Sequence, residues 1–278
     1  MITLVWVRGQ IRRRAGRVAA TATGVAVAVA LLASLGTFLA HSKATMTQRS
    51  VANVPVDWQV ETVATGGGPQ LLRAVRAYPG VQAALPVEFG QTSSLQATTG
   101  GTQQTTGSGF VLGISDTYRA TFPAVIRTLI GPQHGVLVAQ QTAANLHVAP
   151  GDTITVGRAG LPPVSIKADS VIDLPSADAL FQTVGAPAGA TAQAPPDTVL
   201  VVPAVQWHRI FDPLAKLRPD LVKTQIHTRV SHALPTDPSA AYSNVVGRAN
   251  NLEVSLAGAG KVGNNLAATL ASARSDAL

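Results

Sequence analysis

The sequence predicts an α+β fold with one N-terminal transmembrane helix, a mixed extracytoplasmic α+β domain and a C-terminal helical stalk. Three observations predict it: an uncharged apolar stretch behind a cluster of arginines, strand-like and helix-like segments intermixed through the body, and a capped helical pattern near the end. We divide the 278 residues into a cytoplasmic basic segment 1–17, a membrane helix 18–40, an extracytoplasmic domain 41–236 and a stalk 237–278 returning toward the membrane.

The charge distribution at the N-terminus predicts the membrane topology. The 23 residues from Val18 to Ala40 contain no ionisable group. As a helix they extend about 35 Å, which is enough to cross a hydrocarbon core of about 30 Å. By the positive-inside rule the preceding arginines stay in the cytoplasm, so the chain after residue 43 is expected outside it. These arginines are Arg8, Arg12, Arg13, Arg14 and Arg17.

A cleaved signal peptide is the alternative interpretation of this segment. The apolar region of a signal peptide is usually about 7–15 residues long, which is shorter than the stretch Val18–Ala40. Cleavage after Ala40 would also place Phe38 two residues before Ala40, where the A-x-A pattern of signal-peptide cleavage sites has a small residue. The arginines at 12–14 resemble a twin-arginine signal, but the residues after them do not fit that pattern. We therefore expect a retained anchor in the cell membrane.

Composition excludes several classes of function. The chain has no cysteine, so it has no disulfide, thiolate metal site or thiol nucleophile. The formal net charge is +7, but residues 44–278 carry 15 basic and 14 acidic groups. A nearly neutral domain with few aromatic residues is not a nucleic-acid-binding domain.

Alternating and helical segments mix along the domain. A polar segment at 91–109 is expected to be a hairpin tip or loop, and an Ala/Pro/Gly linker is expected at 185–197. Helices are predicted at 69–78, around 124–130, within 136–148 and from 205. Strands are predicted at 55–64, 81–90, 110–115, 153–157, 164–174 (a pair), 198–203 and 224–233.

The stalk begins with a helix-capping signal. Asp237 followed by Pro238 is typical of an N-cap with proline at the first helical position. An apolar stripe at helical spacing follows, and Gly258 and Gly260 then interrupt it. A second, thinner stripe is expected to be less well ordered, and Leu278 is expected on the same side of the domain as Lys43. The first stripe is Tyr242, Val245, Ala249, Leu252 and Leu256; the second is Val262, Leu266 and Leu270.

The segment GAGKVG at 258–263 matches the G-x-G-x-x-G pattern of dinucleotide-binding folds. Such a fold needs a second strand and an acidic residue about 20 residues further on, but the sequence continues for 15 residues after Gly263. We interpret the glycines as a break between two helices that binds no nucleotide. The sequence contains no G-x-x-x-x-G-K-[ST] motif, so we expect no ATP to bind to this chain through a P-loop.

The histidine and aspartate residues do not have the spacing of a metal-binding motif. His227 and His232 lie five residues apart in a strand-like segment and therefore point to opposite faces, so we expect them to be exposed or hydrogen-bonded. Three aspartates lie close together in the sequence without the spacing of a calcium loop, and a turn explains them more simply. They are Asp169, Asp173 and Asp178.

No catalytic motif is present either. Ser115-Asp116 does not lie in a G-x-S-x-G elbow. Trp207-His208 is interpreted as one core residue followed by one surface residue. The sequence therefore predicts no catalytic, cofactor-binding or metal-binding residue, and no enzyme.

Two sequence segments carry a family resemblance. The segment RRRAGRVAATATGVAVAVALLASLG at 12–36 resembles the opening of FtsX-like, MacB-type ABC transporter permeases. The segment ANLHVAPGDTITVG at 144–157, with Gly151 and Asp152, resembles a recurrent segment of their extracytoplasmic domain, and the helices after Asp237 resemble the return to a second span. The resemblance implies a permease component of an ABC transporter. Its extracytoplasmic domain would handle substrate or take part in mechanical coupling driven by a separate ATPase. Its implied partners are an ABC ATPase subunit, a second permease copy in a homodimer or heterodimer, and membrane lipid.

These permeases have further membrane spans, whereas no second apolar span follows residue 40 in this sequence. We therefore expect a truncated permease, a fragment or a split gene product. A self-contained, single-pass anchored binding or adaptor module is the alternative, and an anchored enzyme is a third, weaker one.

Overall fold

The computed structural model describes residues 15–63, 66–185 and 194–276. The predicted α+β class is confirmed. The helices are α1 Ala15–Ala52, α2 Gly68–Ala77, α3 Tyr118–Thr121, α4 Gln140–Leu146, α5 Ala177–Leu180, α6 Ala204–Leu217, α7 Pro238–Ser255 and α8 Asn265–Asp276. The strands are β1 Trp58–Thr62, β2 Val81–Thr92, β3 Leu95–Thr99, β4 Thr102–Thr105, β5 Gly109–Ile114, β6 Arg127–Ile130, β7 Leu137–Ala139, β8 Thr153–Arg158, β9 Leu161–Lys167, β10 Ser170–Asp173, β11 Val199–Pro203, β12 Val222–Val230 and β13 Gly260–Asn264.

Two sheets organise the described part of the domain. The large sheet has nine strands in the order β13-β1-β12-β2-β5-β11-β7-β10-β6, and the small sheet has the order β4-β3-β8-β9. The pairs β5–β11 and β7–β10 are parallel, and the other pairs are antiparallel. Strands distant in sequence are therefore neighbours, as in β1 beside β12 and β13.

Both faces of the large sheet are covered near β1 and β12. Alternate residues of a strand point to opposite faces, so the two sides have separate cores. On one face α2, α7 and α8 pack over Trp58, Val60 and Ile226 of the sheet. The helices contribute Val245, Leu252, Leu266 and Leu270 to this core. On the other face the buried residues include Val87, Phe89, Tyr118, Phe122 and Leu180.

Helix α1 is longer than the apolar stretch from which it was predicted. It runs without interruption from Ala15 to Ala52 and is exposed up to His41. Beyond that residue one side packs on the domain, and Thr47 and Val51 are buried. Among the described residues it is the helix that is long and apolar enough to span a membrane.

The stalk is helical at first, as predicted. The Asp237 carboxylate accepts hydrogen bonds from the backbone N–H groups of Ser239 (3.0 Å) and Ala240 (3.1 Å), which confirms the N-cap. The helix it starts, α7, buries Val245, Ala249 and Leu252 against the large sheet.

The prediction that both sides of the glycine break are helical is wrong. Residues 260–264 form β13, which pairs antiparallel with β1 and aligns Val262 with Val60. The partner strand lies about 200 residues earlier, so local periodicity does not reveal it. Leu266 and Leu270 of the second stripe are fully buried in α8.

Two other local predictions differ from the structure. Residues 127–130 form β6 rather than a helix, because they pair with β10. Residues 137–139 form β7 before α4 begins. The polar segment 91–109 contains the hairpin β3–β4, which is one of the two alternatives predicted for it. Several predictions fall outside the described residues: most of the segment 1–17, the centre of the linker 185–197, and Leu278.

Candidate functional site

The domain begins to contact α1 just beyond the apolar stretch. Lys43 Nζ lies 3.2 Å from Asp237 Oδ2, and both side chains are about half-buried. One turn further on, the Thr47 hydroxyl donates to the carbonyl oxygen of Thr236 at 2.8 Å. The N–H of Ala240 and then Lys43 hold the pKa of Asp237 below its usual value. We call Lys43, Thr47, Thr236 and Asp237 the outer clamp.

A second set of contacts holds the chain where α1 ends. The carboxylate of Asp57 is fully buried and accepts from the backbone N–H of Val230 at 2.7 Å. It also accepts from His232 Nε2, which lies 3.0 Å from Oδ1. The backbone N–H of Asp57 donates to Thr228 at 3.0 Å, and its carbonyl accepts from Asn265 at 3.1 Å. Asp57 thus joins β12 and α8 to the segment that follows α1.

Arg229 and Asn265 complete this arrangement. The guanidinium of Arg229 donates to the carbonyls of Val54 (3.3 Å) and Pro55 (3.2 Å). The side chain of Asn265 donates to the carbonyl of Val56 at 2.8 Å. We call Asp57, Arg229, His232 and Asn265 the junction cluster. Because it ties the carbonyls after α1 to two other elements, it fixes the end of α1 to the sheet.

Helix α8 runs back along α1. It starts at Asn265, beside the residues that follow α1, and packs against both α1 and α7. Near its end the Arg274 guanidinium lies 5.5 Å from the ring centre of Tyr242, which is in the second turn of α7. Since α7 starts at Asp237 beside Lys43, the last described residues of α8 lie toward the outer clamp. The described part of α8 therefore ends on the side of the domain that carries the outer clamp.

A chain of hydrogen bonds crosses the opposite face of the large sheet. The Tyr118 hydroxyl donates to His227 Nδ1 at 2.7 Å, and His227 Nε2 lies 3.3 Å from the side-chain oxygen of Gln225. Gln225 then donates to Glu61 at 2.8 Å, which also pairs with Lys223 at 2.9 Å. Burial lowers the pKa of His227 to about 3, so the ring is neutral with its proton on Nε2. Burial also raises the pKa of Tyr118. Neither group exchanges protons near neutral pH, so the chain is a fixed network.

The histidines and aspartates singled out from the sequence do not form a site together. His227 is in this network and His232 is in the junction cluster, so both are hydrogen-bonded. Asp173 pairs with Arg127 at 2.6 Å, and Asp169 accepts from the backbone N–H of Val136 at 2.7 Å. The side chain of Asp178 lies outside the described residues. Within residues 15–63, 66–185 and 194–276, no three His, Asp or Glu side chains are placed to hold a metal ion.

The remaining candidates have structural roles. Trp207 is buried and donates from Nε1 to the carbonyl of Val111 at 2.9 Å, whereas His208 is exposed and pairs with Asp212. The interpretation of one core and one surface residue is confirmed. The Ser115 hydroxyl contacts the hydroxyl of Thr117 at 3.2 Å.

A polar cavity of about 340 Å³ lies against the small sheet. Asp152 contributes a carboxylate to it, but that carboxylate accepts from the backbone N–H of Ala149 at 2.8 Å and so holds the turn. Gly151 occupies this turn at φ 105°, where other residues are strained. The other lining residues are uncharged: Gln96, Ala97, Thr98, Gln103, Gly151, Thr153 and Thr155. This lining offers hydrogen bonds but no acid–base pair.

The chain is similar to the periplasmic region of MacB from Actinobacillus actinomycetemcomitans. The match has a TM-score of 0.43 and 10% sequence identity, and it covers 77% of this chain and 92% of the MacB chain. MacB belongs to the class of proteins that the sequence resembles. No protein family matches the sequence, and no curated protein matches it.

Sequence reasoning missed the junction cluster. Asp57 stands alone between Val56 and Trp58, and a single acid inside an apolar strand must find partners if it is buried. That signal could have marked Asp57 as a structural anchor. The identity of its partners, His232 and Asn265, could not be read, because they lie about 175 and 208 residues away along the chain.

Proposed function

We propose that this chain is the first membrane helix and extracytoplasmic domain of an ABC transporter permease, with ATP bound on a separate or fused ATPase. In this proposal α1 carries movement between the membrane and the domain. The observation that carries it is the double attachment of α1, through the outer clamp and through the junction cluster. A helix tied only at its end would leave the domain free to swing.

The uninterrupted course of helix α1 supports its proposed role in carrying movement between the membrane and the domain. No glycine or proline occurs between Thr37 and Ala52, so the intrahelical hydrogen bonds continue from the apolar stretch into the packed part. A flexible linker would absorb a movement of the membrane helix, whereas a continuous helix passes it on. The antiparallel return of α8 along α1 gives the domain a second helix on the same side.

The chemistry of the domain fits a mechanical part better than an enzyme. Among the described residues, the buried titratable groups are held in fixed hydrogen bonds, as Asp57 and His227 show. The resemblance of segments 12–36 and 144–157 to FtsX-like permeases supplies the expected partners: an ATPase and a second permease copy. The arginines before residue 18 favour a cytoplasmic N-terminus and an extracytoplasmic domain.

Topology is tested by cysteine labelling, because the natural chain has no cysteine. In intact cells, Gln48→Cys should react with a membrane-impermeant reagent and Gln10→Cys should not. Protection at residue 48 together with labelling at residue 10 would reverse the topology. A mature N-terminus near His41, found by mass spectrometry, would show a cleaved signal instead of an anchor.

Coupling is tested with the full chain purified from membranes together with any ABC ATPase whose gene lies beside its own. The double variant Thr47→Cys/Thr236→Cys places a disulfide across the outer clamp. Oxidation should slow ATP hydrolysis severalfold, and reduction should restore it. The control pair Thr155→Cys/Ser165→Cys joins two hydroxyl positions 3.2 Å apart within the small sheet and should have no effect. If no ATPase associates, or if both disulfides act alike, the permease proposal fails and the anchored binding module is favoured.

A further inference from the structure

We infer that the domain rests on the membrane surface, with Asp237 at the start of α7 and the end of α8 at the phospholipid headgroup layer. This inference depends on one part of the proposed function, namely that residues 18–40 of α1 lie in the bilayer. It concerns a different surface, because the contact is made by the folded domain and not by the membrane helix.

Helix geometry sets the height of the outer clamp above the hydrocarbon. Lys43 is three residues beyond Ala40, the last residue of the apolar stretch, and Thr47 is seven residues beyond it. At about 1.5 Å per residue these positions are about 4.5 and 10 Å above the hydrocarbon edge. The headgroup layer is about 5–7 Å thick on each side of the bilayer. Lys43 is therefore inside this layer, and Thr47 is just above it.

The domain is already present at this height. Ser42 is half-buried, Lys43 contacts Asp237 at 3.2 Å, and Thr47 contacts Thr236 at 2.8 Å. The turn that leads into α7 must therefore reach the level of the headgroups, with Asp237 at the height of Lys43 and Thr236 just above the layer. Apart from Asp237, which is paired with Lys43, the exposed side chains of the segment 233–240 are uncharged, so they can enter a polar interface without burying a charge: Ala233, Pro235, Thr236, Ser239 and Ala240.

Nothing between membrane and domain allows the domain to lift away. The helix is continuous, and its packed part begins two residues after the apolar stretch ends. In a protein with a flexible linker the domain would sample many heights above the bilayer. Here the outer clamp fixes the segment 233–240 against the same turns of α1 that leave the hydrocarbon.

The end of α8 adds groups suited to an interface. Arg274 is exposed and stacks over Tyr242, and tyrosine is enriched at the level of lipid headgroups. A guanidinium binds phosphate oxygens with two hydrogen bonds. Lys43 and Arg274 are balanced at this end by Asp237 and Asp276. The partner is therefore the phosphate of ordinary phospholipids, and contact should not require an anionic membrane.

The test uses the full chain in nanodiscs of zwitterionic phospholipid, doped with a lipid that carries chelated nickel on its headgroup. Spin labels are attached to Ala240→Cys and, in a second protein, to Val254→Cys. Both residues are in α7, and Val254 is 80% exposed, but the two are separated by about 21 Å along the helix. Nickel should relax the label at residue 240 severalfold more than the label at residue 254. Equal relaxation at both would overturn the inference.

A third label separates this inference from the proposed function. At Val29→Cys, which lies in the exposed apolar part of α1, oxygen dissolved in the acyl chains should relax the label strongly. If that fails, α1 is not in the bilayer and both proposals fall. If it succeeds while residue 240 is not relaxed by nickel, only the surface contact is wrong. If nickel relaxes the label at residue 240 only after anionic lipid is added, the expectation that the domain contacts a zwitterionic membrane is wrong.

Discussion

His232 Nε2 lies 3.0 Å from the Oδ1 atom of the fully buried Asp57 carboxylate. The histidine follows β12, and the aspartate lies between α1 and β1. Their contact closes the junction cluster from the solvent side, because the His232 side chain is 28% exposed. The buried Asp57 side chain, which lies just after α1, is thus held by partners from two other parts of the chain.

Removing this carboxylate should be costly. Asp57→Ala leaves the backbone N–H of Val230 and the imidazole of His232 without their acceptor, so the free energy of unfolding should fall by about 3 kcal/mol. Urea denaturation of the full chain in detergent, followed by tryptophan fluorescence, measures it. The exposed pair of His208 and Asp212 serves as a control, because Asp212→Ala should change the free energy of unfolding by about 0.5 kcal/mol or less. Similar losses in the two variants would show that the junction cluster is not a stabilising element.

The junction cluster illustrates how far the sequence could be read. Local signals identified α1 from its apolar run and α7 from its cap at Asp237. They did not identify β13, because a five-residue strand with two glycines has little intrinsic preference and is stabilised by pairing with β1. The continuation of α1 to Ala52 was missed for a similar reason. Residues 41–52 are not uniformly apolar, and their helix is stabilised by packing on α7 and α8.

Two substitutions at Asp237 should separate its roles. Asn keeps a capping side chain but not the charge, so Asp237→Asn should speed amide exchange in residues 41–47 of α1 and leave the start of α7 protected. Asp237→Ala should speed exchange in both. Hydrogen exchange by mass spectrometry measures each segment. Equal exchange at the start of α7 in the two variants would contradict the capping role.

The ion pair also predicts a pH dependence. Because the pKa of Asp237 is lowered in the folded chain, the pair contributes fully above the ordinary aspartate pKa of about 4. Its contribution is lost as the pH falls through the lowered value. The exchange difference between wild type and Asp237→Asn should therefore be constant from pH 7 to about 4 and should disappear in stronger acid. A difference that grows on acidification would refute the ion pair.

Trp58 and Trp207, both buried in the described part of the chain, provide a matched pair. Trp207 donates from Nε1 to the carbonyl of Val111, whereas Trp58 Nε1 has no hydrogen-bond partner among the described residues. Replacement by phenylalanine removes the same atoms at both sites. Trp207→Phe should therefore cost about 1 kcal/mol more than Trp58→Phe in urea denaturation. The reverse order would show that the indole N–H of Trp58 is satisfied in solution.

Neutral His227 predicts that acid weakens the fold. In the unfolded chain its imidazole takes up a proton below about pH 6.5, but in the folded chain it does so only near pH 3. Stability should therefore fall as the pH is lowered from 6.5 toward 3. His227→Gln should be less stable at pH 7.5 yet lose less stability between pH 7.5 and 5, as measured by urea midpoints. Parallel losses in both proteins would mean that His227 becomes protonated in the folded state.

The length of α1 gives the junction cluster a mechanical consequence. A helix of 38 residues is about 57 Å long, and its last turn is followed by the anchored residue Asp57. Because the outer clamp holds this helix about 20 Å before Asp57, the helix and the domain are joined at two points and share one orientation. In the proposed permease, a tilt of α1 by about 10° would displace Ala15 by about 10 Å relative to Asp57 and would tilt the domain by the same angle.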